Sequence, residues 1–201
     1  MKKILILVLM TVGLVTAQEQ VLFSSFSSHG GFGGPVLKLS QFNNDLGLLV
    51  GGRGGWILGQ KLTLGGGGYG LVNDIPVLFE DTDSTRFLDF NYGGFEIGII
   101  IASNSLVHFS VNSLIGGGEV RYRNSMFDEM KNEDYNWESK WDHDQVFVFE
   151  PSVNVMLNLS RWARIGLGAS YRYVSGVDLN SIDDTFLTGP AAVLTLKFGS
   201  F

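Results

Sequence analysis

Four groups of residues in this chain could do chemistry. His108-Phe109-Ser110 places a base two residues from a hydroxyl, the pairing that activates a serine to cleave an acyl ester. Two residues apart on a strand, His108 and Ser110 share a face, and no acid is placed to orient the imidazole, so the plainer reading is a polar lining. GGGGYG contains G-x-G-x-x-G at Gly65, Gly67 and Gly70. A phosphate cradle needs a helix to follow and a Lys-Ser/Thr pair. Leu71-Val72-Asn73-Asp74-Ile75-Pro76 follows instead, which leaves a glycine-rich strand. The acidic stretch MFDEMKNEDYNWESKWDHDQ holds Tyr135, Trp137 and Trp141 beside Asp142 and Asp144. Carboxylates and an imidazole suit a divalent ion, and aromatics anchor recognition surfaces; a solvated acidic loop is the bland alternative. Finally, Arg53, Glu96, Glu150 and Arg172, with Asn112 and Asn154, stand at alternate positions in otherwise apolar segments. Charges enclosed in that way are costly unless paired.

Composition narrows the classes. With no cysteine, disulfides, thiolate metal sites, cysteine nucleophiles and lipid anchoring through cysteine are excluded. No catalytic set, resident metal or cofactor is assigned. Lys2-Lys3, the apolar run Ile4 to Val15 and the small pair Thr16-Ala17 read as a secretory leader cut ahead of Gln18. Leaving out Lys2 and Lys3, the 14 basic residues fall to 12 against 20 acidic, a formal net charge of −8. Nucleic acid is an unsuitable partner for such a chain. Hydrophobic residues are 45% and charged residues 17%, yet no later apolar run is long enough for a spanning helix. Strands that alternate between lipid and lumen give this combination.

The elements that position these groups follow from parity, because side chains alternate faces along a strand. Gly51 to Gly70, half glycine, reads as the centre of a hairpin. A three-residue turn at Gly59-Gln60-Lys61 pairs Leu58 with Leu62, Trp56 with Leu64 and Leu48 with Val72. It sets Gly54 against Gly66, Gly52 against Gly68, Arg53 against Gly67 and Gly51 against Tyr69. So much glycine implies sharp curvature, room for a large inward side chain, or close approach of another surface. The lead Gln18–Gly34 is left as a plug or an extra strand. Strand one covers about Pro35 to Gln41, with a turn at Phe42 to Asp45. Strand four runs from about Phe87 to Ala102. Leu88, Phe90 and Tyr92 have one parity and Phe95, Ile97, Ile99 and Ile101 the other, so a bulge at Gly93-Gly94 is expected to restore one lipid face. The remaining strands start near Val107, Phe147, Ala163 and Gly189.

Eight strands result. The fold class is all-β: an eight-stranded antiparallel up-and-down transmembrane barrel over 35–201, preceded by a leader over 1–17 and a periplasmic lead over 18–34. Turns after strands two, four and six are short, and connections after three, five and seven are long and acidic. Short periplasmic turns and long external loops give that asymmetry, with both chain ends in the periplasm. An eight-stranded barrel is narrow enough to be filled by side chains. The lumen set Arg53, Glu96, Glu150, Arg172, Asn112 and Asn154 is therefore expected to close it, with Glu150 beside Arg172. Tyr171, Tyr173, Phe147 and Phe149 near one rim, with Trp56 and Phe198 near the other, form the expected aromatic girdles.

The segments HGGFGGP, GGRGGW, GGGGYGLVND, IGLGASYRYVSGVD and LTLKFGSF resemble a Gly-rich branch of the small Gram-negative outer-membrane β-barrel proteins, the size class of the OmpA and OmpX domains. The likeness covers nearly all of the chain after Ala17. It implies a bacterial outer-membrane location, a monomer, contact with membrane lipids and lipopolysaccharide, and insertion by the barrel-assembly machinery. Its implied role is structural or surface recognition, non-enzymatic, through loops bearing Tyr135, Trp137, Trp141, Asp142 and Asp144. The last strand resembles the assembly signal, except that alternation stops at Phe198 and Phe201 falls out of register. His108-Phe109-Ser110 resembles the His-x-Ser step of lipid A deacylases, and a lipid-modifying enzyme is the second reading. A secreted lipocalin-type carrier, apolar inside and polar outside, is the third.

Overall fold

The computed structural model describes residues 29–79, 84–123, 143–179 and 181–201. The expected leader, Gln18–Ser28, and Tyr135, Trp137, Trp141 and Asp142 lie outside them. The strands are β1 (His29–Phe42), β2 (Asp45–Leu58), β3 (Leu62–Leu71), β4 (Pro76–Phe79), β5 (Ser84–Ile101), β6 (Val107–Arg123), β7 (His143–Asn158), β8 (Ala163–Ser175) and β9 (Gly189–Ser200), with one turn of helix, α1 (Asp184–Leu187). All pair antiparallel. The order β3-β2-β1-β9-β8-β7-β6-β5 closes on itself through β3–β5, giving an eight-stranded barrel with β4 as a short flap on β5.

The hairpin register follows from parity and turn length. Leu58 opposes Leu62, Trp56 opposes Leu64, Arg53 opposes Gly67 and Gly51 opposes Tyr69. The Val72 N–H donates to the Leu48 carbonyl at 2.9 Å, as Leu48 beside Val72 requires. Gly59 and Gln60 both adopt φ 58°. That left-handed conformation suits Gly59.

β1 begins six residues before Pro35, so His29–Gly34 belong to the barrel wall rather than to a lead. Its ladder to β9 passes from Gly33↔Phe198 to Val36↔Thr195, skipping Pro35, which has no N–H to donate.

The expected bulge at Gly93-Gly94 does not form. β5 runs in unbroken register against both neighbours, with Gly93↔Gly68 and Gly94↔Gly67 on one side and Gly93↔Gly117 and Gly94↔Gly116 on the other. Leu88, Phe90 and Tyr92 therefore stay inside, on the parity of Glu96. The reason is that the lumen is not polar throughout. Its long-loop half is an apolar core that includes Val36, Phe42, Leu49, Phe90, Val148 and Val193.

Two connections finish that core. Ile75 and Val77, beside and within β4, are buried in it, as are Leu179, Ile182 and Leu187 around α1. Both segments read from sequence as polar loops. The hydrophobic residues hidden among their acids are what fold them over the mouth.

α1 is capped by Asp183, whose Oδ1 accepts from the Thr185 hydroxyl at 2.6 Å and the Phe186 N–H at 3.0 Å. These bonds hold its carboxyl below the usual aspartate range, the Thr185 hydroxyl contributing most. A depressed acid stabilises the fold above its unfolded pKa, and that contribution fades as pH falls through the depressed value. A pH titration followed by the Phe186 amide shift should have its midpoint below the ordinary aspartate range. A midpoint within that range would mean the cap is not made.

Outside, the wall is apolar. Trp56 is 70% exposed and Leu167 64%, and Phe95, Ile97, Ile99 and Ile101 face outward together. The Tyr171 and Tyr173 rings meet at a tilt, 4.6 Å apart, at the long-loop end, and Trp162 stacks against Phe198 at 5.9 Å at the other. Exposed apolar surface on this scale marks a surface made for a non-aqueous partner. Aromatics at both edges are the membrane-interface pattern.

Candidate functional site

The residues with unusual chemistry gather in the lumen. Inward parity on seven strands supplies buried Lys38, Arg53, Glu96, His108, Ser110, Asn112, Glu150, Asn154, Ser170, Arg172 and Lys197.

Glu150 is the hub. Both its carboxylate oxygens lie 2.8 Å from Lys38 Nζ. Tyr92 donates its hydroxyl to Oε2 at 2.6 Å, and Ser170 donates to Oε1 at 2.5 Å. The Lys38 ammonium also donates to Tyr92 Oη at 3.1 Å and sits 3.4 Å from the centre of the Tyr69 ring. A buried carboxylate met by a cation and two hydroxyls is the satisfied arrangement that a low-dielectric interior demands.

The expected partner of Glu150 was Arg172, and the structure corrects this: Lys38 takes the carboxylate. Arg172 Nε instead donates to the Leu187 carbonyl at 2.8 Å. Its guanidinium lies 4.5 Å from the Phe42 ring centre, 5.3 Å from Phe90 and 5.6 Å from Tyr92. It is pulled up into the aromatic half by those faces, each worth about 0.5–2 kcal/mol, and by the loop that closes the mouth.

Arg53 and Glu96 form the second pair, at 3.0 Å. They stand on β2 and β5, with β3 between them. The inward residues of β3 beside them are Gly65 and Gly67, paired with Glu96 and Arg53 respectively. With no side chain there, Arg53 reaches across the intervening strand. One reason for the glycine density is thus room for a large inward group.

Asn112 donates only a long bond to Ser110 Oγ, 3.4 Å. The Asn154 amide has no partner among the described residues. Lys38, Tyr92, Tyr69, Ser170 and Lys197 were missed as lumen residues of note. Lys38 could have been found, since it alternates with Val36 and Ser40 on strand one. Its partner 112 positions away could not.

His108 and Ser110 both face the lumen, 1% and 2% exposed. Arg164 Nη1 lies 3.4 Å from His108 Nε2, and among the described residues no side chain meets His108 Nδ1, so no acid orients the imidazole. At the opposite rim Asp144 Oδ2 accepts the Asp178 N–H at 2.6 Å, which fastens the capping loop. Among the described residues no group of three or more His, Asp or Glu is placed to hold a metal.

A closed eight-stranded antiparallel barrel, apolar outside and filled by ion pairs and aromatic rings inside, is the architecture of the small outer-membrane barrels. Comparison with solved structures gives the same fold: the chain is similar to Neisserial surface protein A, with a TM-score of 0.59 at 7% identity, covering 86% of this chain and 97% of that one. It also matches Ail, the attachment invasion locus protein of Yersinia pestis, with a TM-score of 0.43 at 12% identity, covering 85% of this chain and 97% of that one. No family model and no curated sequence matches the chain.

Proposed function

We propose that the protein is a bacterial outer-membrane barrel with a shut lumen, serving envelope structure or surface recognition through its long loops rather than transport or catalysis. The observation that carries this reading is the filling of the lumen from its long-loop mouth to its middle. Apolar side chains occupy the long-loop half and the Lys38–Glu150 and Arg53–Glu96 pairs the middle, while the outer wall is apolar. The short turns face the periplasm, and the start of β1 and the end of β9 lie with them. On this reading the long acidic connections belong to the cell exterior, binding residues being collected by loops on rigid scaffolds, and the recognition residues are Tyr135, Trp137, Trp141, Asp142 and Asp144. The partners are membrane lipids and lipopolysaccharide, with the barrel-assembly machinery during insertion, and the protein works as a monomer.

The lipid A deacylase reading loses its support, because His108 and Ser110 point away from the lipid that such an enzyme must reach. The lipocalin reading fails on the outer wall, which a water-soluble carrier would make polar.

Purified protein in planar bilayers is expected to show no steady ionic conductance. Steady conductance abolished by the bulky lumen substitution Gly98→Phe would overturn the shut lumen. Deleting Asn132–Lys140 should leave the barrel folded but reduce cell-surface binding. Unchanged binding would remove that loop from the recognition role.

A further inference from the structure

The lumen carries an imbalance of charge that its two ion pairs leave uncorrected. Between the rims, the described residues facing inward include five cations, Lys38, Arg53, Arg164, Arg172 and Lys197, against two carboxylates, Glu96 and Glu150. Each carboxylate is taken by one cation. Arg172 is answered by a carbonyl and three rings. Lys197 and Arg164 stand opposed in the β8–β9 ladder at the short-turn end; Lys197 Nζ lies 4.5 Å from the Phe32 ring centre, but neither cation is in an ion pair among the described residues.

The groups around them are rich in donors and lack an acceptor of matching charge. Because the Arg164 guanidinium can only donate, the Nε2 of a neutral His108 faces it as acceptor, and the proton then belongs on Nδ1. Among the described residues that buried Nδ1 meets no side-chain acceptor, the Ser105 backbone being the only acceptor beside the ring, and Arg164 Nε has no partner. Lys197, Arg164, His108, Thr63 and Ser110 line one small void of about 10 Å³. A space of that size holds about one water-sized body. It shares Arg164 and Phe201 with a second pocket of about 50 Å³ toward Ser103 and Asn104. Phe201 has lumen parity, two residues beyond Gly199, and its ring lies 3.8 Å from the Arg164 guanidinium. It therefore seats over the void and screens it from the solvent at the mouth. Its departure from the outward alternation that ends at Phe198 has this physical consequence.

Like charges on paired residues of neighbouring strands repel in a medium of low dielectric, and a neutral water would bridge the donors without relieving that repulsion. We propose that the short-turn end of the lumen binds one small monovalent anion of chloride size, held by Lys197, Arg164 and His108 beneath the Phe201 ring. A phosphate or carboxylate group is too large for the inner void.

The test uses the full barrel refolded in detergent at pH 7. Chloride NMR should show line broadening beyond that of the detergent alone, displaced by bromide. Lys197→Met should lose it, whereas Lys61→Met, which removes an exposed lysine at the same end, should keep it. Phe201→Ala should speed chloride exchange. Equal broadening in wild type and Lys197→Met overturns the site. Should Lys197→Met fail to fold, wild-type crystals soaked in bromide decide: an anomalous peak beside Lys197 supports the site, and its absence sinks it.

Discussion

Replacing Glu150 by glutamine should cost the barrel more stability than any other single loss of charge, about 3–5 kcal/mol. Glutamine keeps the size of the side chain and can still accept from Tyr92 and Ser170. What it removes is the negative charge 2.8 Å from Lys38 Nζ. Lys38 then stays buried, its ammonium against the Tyr69 ring, with the carboxylate that answered it gone. The cost is the desolvation of an orphaned ion rather than the worth of a contact, so it should be largely recovered when the second ion is also removed. Glu150→Gln combined with Lys38→Met is therefore expected to regain more than half of the loss. Urea titration of folding into lipid vesicles measures both. The rim pair Arg121–Asp89, at 2.7 Å with the Arg121 side chain 48% exposed, is the contrast: Asp89→Asn should change stability by about 0.5 kcal/mol or less. An unchanged urea midpoint for Glu150→Gln, or a double variant weaker than the single, would remove the hub from its structural role.

The Glu150 case also marks how far the lumen could be read from sequence. Alternation tells which way a residue points, and it placed Arg53, Glu96, Glu150 and Arg172 inside. It does not tell which residue lies across the barrel, because strands at opposite positions share no register. So the neighbour Arg172 stood in for the true partner Lys38. Arg53–Glu96 was closer to legible: the strand between the two carries glycine at Gly65 and Gly67, and absent side chains leave a visible path.

The hairpin from Leu46 to Val72 was legible from parity and turn length together, since a two-residue turn would have set Trp56 against a polar face. Parity misled at β5 because apolar was equated with outward. Leu88, Phe90 and Tyr92 break that equation, as the upper lumen is sealed by an apolar core rather than by polar pairs. The two capping segments were missed for a related reason. Ile75, Val77, Leu179 and Ile182 are scattered among acids, so neither segment shows a period, and only the open mouth beneath explains why they fold inward.

Glycine supplies the remaining large effect, and its sign depends on which face the residue occupies. Gly55 and Gly65 oppose each other across β2 and β3, as Gly94 and Gly116 do across β5 and β6. All four point inward, where the wall bends tightly. A Cβ on Gly55 would lie 2.6 Å from Gly65 Cα, and one on Gly94 would lie 2.6 Å from Gly116 Cα. Backbone cannot yield as a flexible side-chain tip can, so Gly94→Ala must part the two strands or flatten the curve. Overpacking of this kind costs about 1–3 kcal/mol for one methyl group, and a branched residue adds to it. Gly94→Val is expected to abolish folding, leaving none of the heat-sensitive mobility shift that a folded barrel shows on a gel. Gly70 lies outside the crowded zone, and a Cβ there meets nothing within 4 Å. Gly70→Ala should be neutral or should stabilise by about 0.4–1 kcal/mol, through the narrower freedom of the unfolded chain. Equal tolerance at Gly94 and Gly70 would mean that curvature does not require the inward glycines. Failure at Gly70 alone would mean that the outer face, and whatever lies against it, sets the glycine content instead.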